Sequence, residues 1–219
     1  MNNLQGIIKK LSPYLKSKGF LRSGRNFYYI KNDIAFCIAL DAPKELLYVT
    51  AYIMPLYIPC DNRYYTYGNR LNTLKSSPLP ILKMSSDAKI TDAWCETFFQ
   101  YIEEIIIPFY NDINSPNKLI EYVEQKAHKS SYSFGFSSPE VFIERLKMYT
   151  HMYLNNFAEA KIAIESYNNL LMASTFLTVA VRQKYLKEIA QIEDSIRDNE
   201  QEVLFLCKET IEKTKNQLK

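Results

Sequence analysis

The change in hydrophobic period after Gly19 constrains the fold of this chain more than any other feature. Before Gly19, apolar residues recur at helical spacing and mark one face of a helix; they are Leu4, Ile7, Ile8, Leu11 and Leu15. After Gly19, apolar and aromatic residues alternate with a period of two, which is typical of strands. The fold is therefore predicted to begin with a helix that ends at a left-handed glycine and continues into a sheet.

Three runs with strand character follow the first helix. The first ends at the polar turn Lys31-Asn32-Asp33, and the second, residues 34–40, has large residues on one face and Ala or Cys on the other. The third run, LLYVTAYIMPLY, is rich in β-branched and aromatic residues and is ended by Pro55 and Pro59. Three consecutive strands joined by short turns predict an antiparallel meander, with helix 4–18 covering its apolar face.

The rest of the chain is predicted to be mostly helical. Residues 60–86 are polar and contain Pro78 and Pro80, so we interpret them as a long surface loop with one short strand or helical turn around 69–74. A helix is predicted over 91–109. The fold class is α+β, with an α+β domain over 1–112. A helical region over 113–219 consists of a helical hairpin and one long terminal helix, in which Asp198-Asn199 is a candidate break.

The charge of the chain is concentrated at its start. The net charge is +3, but residues 1–32 contain seven Lys or Arg and no acidic residue. This segment could contact nucleic acid, an acidic partner or the protein's own acidic helices, and the last is the most common outcome. Its candidate contact residues are Lys16, Lys18, Arg22, Arg25 and Lys31.

A second candidate surface is the loop DNRYYTYGNR at residues 61–70. Arg and Tyr dominate binding hot spots because both bury large areas and make directional hydrogen bonds. The alternative is that tyrosines in a chain with 17 of them simply cover the core. The predicted contact residues of this loop are Arg63, Tyr64, Tyr65, Tyr67 and Arg70.

Motifs for common catalytic chemistry are missing from the sequence. Five glycines supply neither a P-loop nor a dinucleotide fingerprint, and neither GxSxG nor HExxH occurs. The four cysteines are widely spaced, and two histidines, His128 and His151, do not complete a metal-ligand pattern with them. We therefore predict no catalytic residue, no metal site and no cofactor. An enzyme of unknown class would need His128 or His151 to meet distant carboxylates in a pocket.

The first half of the chain resembles a bacterial family known as domain of unknown function 4304. The resemblance is carried by an amphipathic helix followed by a basic and aromatic strand, at Leu15, Lys16, Gly19, Phe20, Arg25, Phe27 and Tyr28. The sequence departs from the family pattern at 41–43, where Asp-Ala-Pro replaces a strand end that contains Gln. The resemblance implies a small intracellular α+β domain without an assigned reaction. Some relatives are thought to lie beside toxin systems, which implies toxin neutralisation as one role.

These patterns predict a non-catalytic protein-binding module. Nucleic-acid binding through the basic segment is the first alternative, and an enzyme of unknown class is the second. No apolar run approaches the roughly 18 residues of a membrane span, so we expect a cytoplasmic protein without a membrane partner. The terminal helix has a heptad-like apolar spacing, which is compatible with a homodimer and with packing within one chain. The residues of this seam are Ile189, Ile192, Ile196, Val203 and Leu206.

Overall fold

The computed structural model describes residues 3–59, 67–74, 77–84, 88–126 and 140–218. The chain divides into two compact units. The first consists of Met1–Met54, Tyr64–Ser137 and Leu218–Lys219, and the second of Pro55–Arg63 and Ser138–Gln217. Among the described helices, none is long and apolar enough to cross a membrane.

The first helix, α1 (Asn3–Ser17), has the predicted apolar face, and all five residues that define it are at most 3% exposed. Its C-terminus is a Schellman motif, in which the Phe20 amide donates to Leu15 O at 3.0 Å and the Gly19 amide donates to Lys16 O at 3.0 Å. Gly19 has a φ of 88°, a left-handed conformation that glycine adopts without a steric penalty. The helix therefore ends at the residue that the sequence predicts.

Six strands follow in an antiparallel sheet, which confirms the predicted meander and extends it. The strands are β1 (Leu21–Ser23), β2 (Asn26–Lys31), β3 (Ile34–Asp41), β4 (Leu46–Pro55), β5 (Tyr67–Arg70) and β6 (Leu82–Lys83). Their order is β1-β2-β3-β4-β5, and β6 also pairs with β4. The predicted turn between β2 and β3 is present, with left-handed Asn32 and Asp33 at φ values of 48° and 60°.

Strand β3 is the centre of the first unit. Every residue from Ile34 to Leu40 is at most 2% exposed, so both faces of the strand are covered. On the face that carries Phe36, the ring of Tyr110 lies 4.5 Å from the Phe36 ring, and the Tyr110 hydroxyl donates to Cys37 O at 3.1 Å. Burial raises the pKa of Tyr110 well above its usual value, so the phenol keeps the proton that this hydrogen bond needs.

Three further helices complete the described part of the first unit. They are α2 (Ala88–Tyr101), α3 (Ile107–Asp112) and α4 (Pro116–Lys126). A π-turn over Ile102–Ile106 connects α2 to α3 directly before Pro108. Since proline has no amide proton to donate, the regular α-helical hydrogen-bond pattern is interrupted at Pro108, and the wider turn lies just before it.

The second unit contains four helices and the end of the strand-rich segment. The helices are α5 (Glu140–Tyr153), α6 (Phe157–Ala173), α7 (Val179–Asp198) and α8 (Glu200–Leu218). The long terminal element is thus two helices divided at Asn199, which adopts φ −164° and ψ 100°. The Asn199 side chain accepts from the Gln201 amide at 3.1 Å and so caps α8.

The division at Asn199 changes the register of the predicted heptad seam. Ile189, Ile196 and Val203 are buried, whereas Leu206 is 45% exposed and Cys207 is buried beside it. The buried positions of the seam pack within the chain, and the homodimer stays a prediction.

One edge of β4 is completed by a side chain. Strand β6 pairs with Leu46 and Leu47, and β5 pairs with the stretch from Thr50 to Ile53. Between them, Asn72 donates from Nδ2 to Leu47 O at 2.8 Å and accepts at Oδ1 from the Val49 amide at 3.2 Å. Residues two apart on a strand present their backbone groups to the same edge. The Asn72 amide therefore substitutes for a strand residue between β5 and β6.

Replacing Asn72 with Ala should lower the free energy of unfolding by about 1–3 kcal/mol, because two buried backbone groups lose their partners. Urea denaturation followed by circular dichroism measures the loss. Asn169→Ala, on the exposed surface of α6, is the control and should change stability little. Equal stability of Asn72→Ala and the natural chain would mean that water replaces the side chain at this edge.

Candidate functional site

The predicted loop site is described only in part. Arg63, Tyr64 and Tyr65 lie outside the described residues. Tyr67 is 6% exposed, on β5 opposite Ile53, so its ring belongs to the core. Arg70 is exposed and its guanidinium lies 4.4 Å from the centre of the Tyr48 ring, a cation–π contact. Of the two described residues, Arg70 is the one at the surface.

The predicted basic segment is partly neutralised by the protein's own helices. Lys18 pairs with Glu103 at 2.6 Å, and Lys10 pairs with Asp92 of α2. The hydrogen bond from Lys18, together with one from Tyr14, lowers the pKa of Glu103. These ion pairs reduce the positive charge available for nucleic acid along α1.

The remaining basic residues are spread over the surface of the first unit. Arg22 donates from Nε to Gly24 O at 3.0 Å, and Arg25 lies 3.9 Å from Asp41. Lys16 is exposed at the end of α1, and Lys31 is half-buried at the end of β2. The contacts of Arg22 and Arg25 lie within the strand region. None of these four side chains lines the groove described below.

The histidines do not form a recognisable site in the described part of the chain. His151 lies on α5 and is 7% exposed, whereas His128 falls outside the described residues. Within the described ranges, no group of three His, Cys, Asp or Glu side chains could hold a metal ion.

A cluster of charged and aromatic residues connects α5 to α7 in the second unit. Arg145 donates to both carboxylate oxygens of Glu188, at 2.6 and 3.2 Å, and to Pro59 O at 3.0 Å. The Tyr149 hydroxyl donates to the same carboxylate at 2.5 Å. The Arg145 guanidinium also lies 5.1 Å from the Tyr149 ring and 5.5 Å from the Tyr185 ring.

The charged groups of this cluster are paired with one another. Burial, with the charge of Glu188, raises the pKa of Tyr149 well above its usual value, so the phenol remains a donor at neutral pH. The side chains of Arg145 and Glu188 are 13% and 18% exposed, so their charges are largely removed from water. We interpret the cluster as a structural connection between α5 and α7.

Among the described residues, the best candidate for a binding site is a groove in the first unit. We call it the β6–α2 groove. It has a volume of about 880 Å³ and is lined by Pro80, Ile81, Leu82, Lys83, Met84, Ile90, Ala93, Trp94 and Thr97. The residues from α2 recur at spacings of three and four, so they share one helix face. Ile81 and Ile90 are 41% and 51% exposed, which is unusual for two large apolar side chains on one groove.

Trp94 fixes the strand side of the groove. Its indole N–H donates to Pro80 O at 2.9 Å, and its ring stacks on Phe98 with centres 5.5 Å apart. Trp94 itself is 3% exposed. Because the extended segment that leads into β6 is tied to α2 by this hydrogen bond, the groove between them is preformed.

The backbone of β6 has a hydrogen-bonding edge that faces away from β4. The Met84 amide donates to Glu45 O at 2.8 Å, and Lys83 pairs with Leu46 in the same register. In an antiparallel pair, hydrogen-bonded and non-hydrogen-bonded residues alternate. The N–H and C=O of Lys83 therefore point away from β4, where an additional strand could bind them.

Sequence reasoning missed the β6–α2 groove. Its strand has two residues, too few to give a period, and the prolines on its N-terminal side indicate a loop. Trp94 is the one signal that could have identified it, because a single tryptophan with an indole N–H to satisfy is often found at an interface.

Comparison with known proteins finds no match to this chain among family models, curated proteins or solved structures. The resemblance to the domain of unknown function 4304 family stays a prediction from the residues quoted above.

Glu188→Gln should lower the free energy of unfolding by about 3–5 kcal/mol, because it leaves the Arg145 charge buried without its counter-ion. Thermal or urea denaturation measures the change. Asp194→Asn is the matched control on the same helix, since Asp194 and its partner Arg197 have side chains 63% and 70% exposed. That control should cost less than about 1 kcal/mol. Equal effects of the two substitutions would contradict the structural role.

Proposed function

We propose that this chain is a non-catalytic protein-recognition module that binds an extended segment of a partner protein in the β6–α2 groove. The observation that carries the proposal is the juxtaposition of an apolar groove with the outward backbone edge of Lys83. A partner segment that pairs with this edge gains main-chain hydrogen bonds and places alternate side chains toward α2.

The groove specifies the chemistry of the segment that it binds. Ile81 and Ile90 are exposed on its two sides and would be covered by an apolar side chain of the partner. Proline at the position that pairs with Lys83 is disfavoured, because it lacks the amide proton that Lys83 O would accept. The preferred partner is therefore an unstructured or edge-strand segment with an apolar residue and a free backbone amide.

The side chains of the groove are suited to binding. Among its lining residues, Lys83 and Thr97 are the ones with polar side-chain groups, and the rest are apolar apart from the indole N–H of Trp94, which is bonded to Pro80. A proton-transfer step needs an acid or base within hydrogen-bond reach of a bound substrate. Lys83 is the one titratable side chain of the lining, and no carboxylate or imidazole stands beside it there, so the mostly apolar lining favours recognition over proton-transfer chemistry.

The family resemblance and the sequence bear on the kind of partner that the groove binds. A partner segment captured in the cytoplasm fits the toxin-neutralising role that the resemblance implies. Nucleic-acid binding is the weaker alternative, because Glu103 and Asp92 neutralise two of the lysines in the basic segment.

Peptides selected against this protein should bind at the groove. A library of random linear peptides is panned against the full chain, and the enriched peptides are titrated into it. Trp94 is the one tryptophan of the chain, so a change in its fluorescence assigns the binding position. Ile90→Glu should weaken binding by about tenfold or more, because a charge on the groove wall opposes burial of an apolar side chain.

Ile105→Glu is the matched control, since Ile105 is an exposed isoleucine on the π-turn of the same unit and does not line the groove. It should leave peptide affinity unchanged. Two results would reject the proposal: a library from which no peptide is enriched, or enriched peptides that bind Ile90→Glu as tightly as the natural chain.

A further inference from the structure

The turn between α6 and α7, which we call the α6–α7 tip, exposes large apolar side chains in the second unit. Met172, Phe176 and Val179 are 60%, 58% and 68% exposed within eight consecutive residues. They do not line the β6–α2 groove. A soluble surface rarely groups side chains of this size, so such a group indicates a contact with a protein or a membrane.

The backbone of the tip makes two hydrogen bonds that do not involve the side chains of Met172, Phe176 or Val179. Arg182 donates from Nη2 to Ser174 O across the turn. Thr178 caps α7 by accepting from the Val181 amide at 3.4 Å. The ring of Phe176 lies 6.4 Å from Phe142, in an edge-on contact that leaves more than half of it exposed. The exposed side chains therefore lie on a turn whose backbone is hydrogen-bonded.

Along the sequence, the charged residues of the tip between Glu165 and Glu188 are all basic. From residue 166 to residue 187 the chain contains Arg182, Lys184 and Lys187 and no acidic residue. At 1.5 Å per residue, the two lysines lie about 7.5 and 12 Å along α7 from Val179. Apolar side chains that enter the boundary of a bilayer reach about 5–10 Å below its headgroups. With the tip inserted, the lysines would stand at the level of the lipid phosphates.

We propose that the α6–α7 tip docks on an anionic lipid surface. The tip presents protruding side chains, and a bilayer can bury these without a complementary pocket, whereas a protein partner would have to supply one. The three cations add attraction for acidic headgroups, which falls as salt rises. This inference is independent of the β6–α2 groove, which lies in the other unit. Docking of this kind needs no membrane-spanning helix. The length and hydropathy required of a membrane span therefore do not bear on the proposal.

The experiment is co-sedimentation of the full chain with vesicles of phosphatidylcholine and phosphatidylserine, and with vesicles of phosphatidylcholine alone. We expect binding to the anionic vesicles at low salt, weaker binding at high salt and little binding to the neutral ones. Phe176→Ser combined with Val179→Ser should weaken binding by about tenfold or more, because each apolar side chain contributes about a factor of ten to partition.

Ile162→Ser is the matched control, since Ile162 is 62% exposed on α6 and lies three turns before the tip. It should bind vesicles like the natural chain, and circular dichroism should show that all variants are folded. Absence of binding to anionic vesicles at low salt would overturn the proposal. So would vesicle binding that the double variant retains in full. Self-association of the chain that the double variant abolishes, without vesicle binding, would assign the tip to a second copy of the chain.

Discussion

The burial of both faces of β3 is the constraint on which the rest of the first unit depends. A strand with seven consecutive residues at most 2% exposed requires covering elements on both sides of the sheet. It also requires a partner for every polar group that is enclosed, as the Tyr110 hydroxyl shows by donating to Cys37 O. Because β3 and its neighbours are buried, another molecule can contact the sheet through its edges.

The edge of β4 shows how the protein limits the sheet edge that is available for pairing with another molecule. β5 and β6 close two stretches of the edge, and the Asn72 side chain closes the gap between them. Gly68 allows β5 to approach closely, since a Cβ there would lie 2.2 Å from Ala51 O. Among the described strands, none pairs with the far edge of β6, and Ile90 of α2 is exposed in the groove beside it. An edge strand is normally protected against pairing, so an open edge beside an apolar helix face is consistent with a binding role.

The second unit relies on helix packing and one enclosed ion pair. Arg145 and Glu188 are 43 residues apart in sequence, and their pairing fixes α5 against α7. Farther along α7, Ile189 and Ile196 are also buried, and Asn199 then ends the helix and caps α8. At the α6–α7 tip, by contrast, Met172, Phe176 and Val179 are exposed.

The sequence predicts the helices and strands that have strong hydrophobic periodicity. It does not predict structure that depends on a very short strand or on a side chain distant in the sequence. The face of α1, the glycine that ends it and the turn at Asn32 follow from local rules, because spacing and left-handed preference are properties of neighbouring residues. The break at Asn199 was also indicated by its residue type.

The candidate site could not be predicted in the same way. Strand β6 has two residues, and its pairing depends on β4, some 36 residues earlier in the chain. The role of Asn72 depends on two backbone groups of another strand, and the role of Glu188 depends on an arginine of another helix. The spacing of residues along the chain does not reveal such contacts. A carboxylate such as that of Glu188, with lysines nearby in the sequence, therefore looks like an ordinary exposed group.

The most direct test of the recognition role is hydrogen exchange at the Lys83 amide, measured by NMR with and without a selected peptide. Because this amide points away from β4, it should exchange rapidly in the free protein and slow markedly when a partner strand pairs with it. The Tyr67 amide on β5 provides the reference and should keep its rate. A peptide that binds tightly while the Lys83 amide exchanges at its free rate would contradict pairing at this edge.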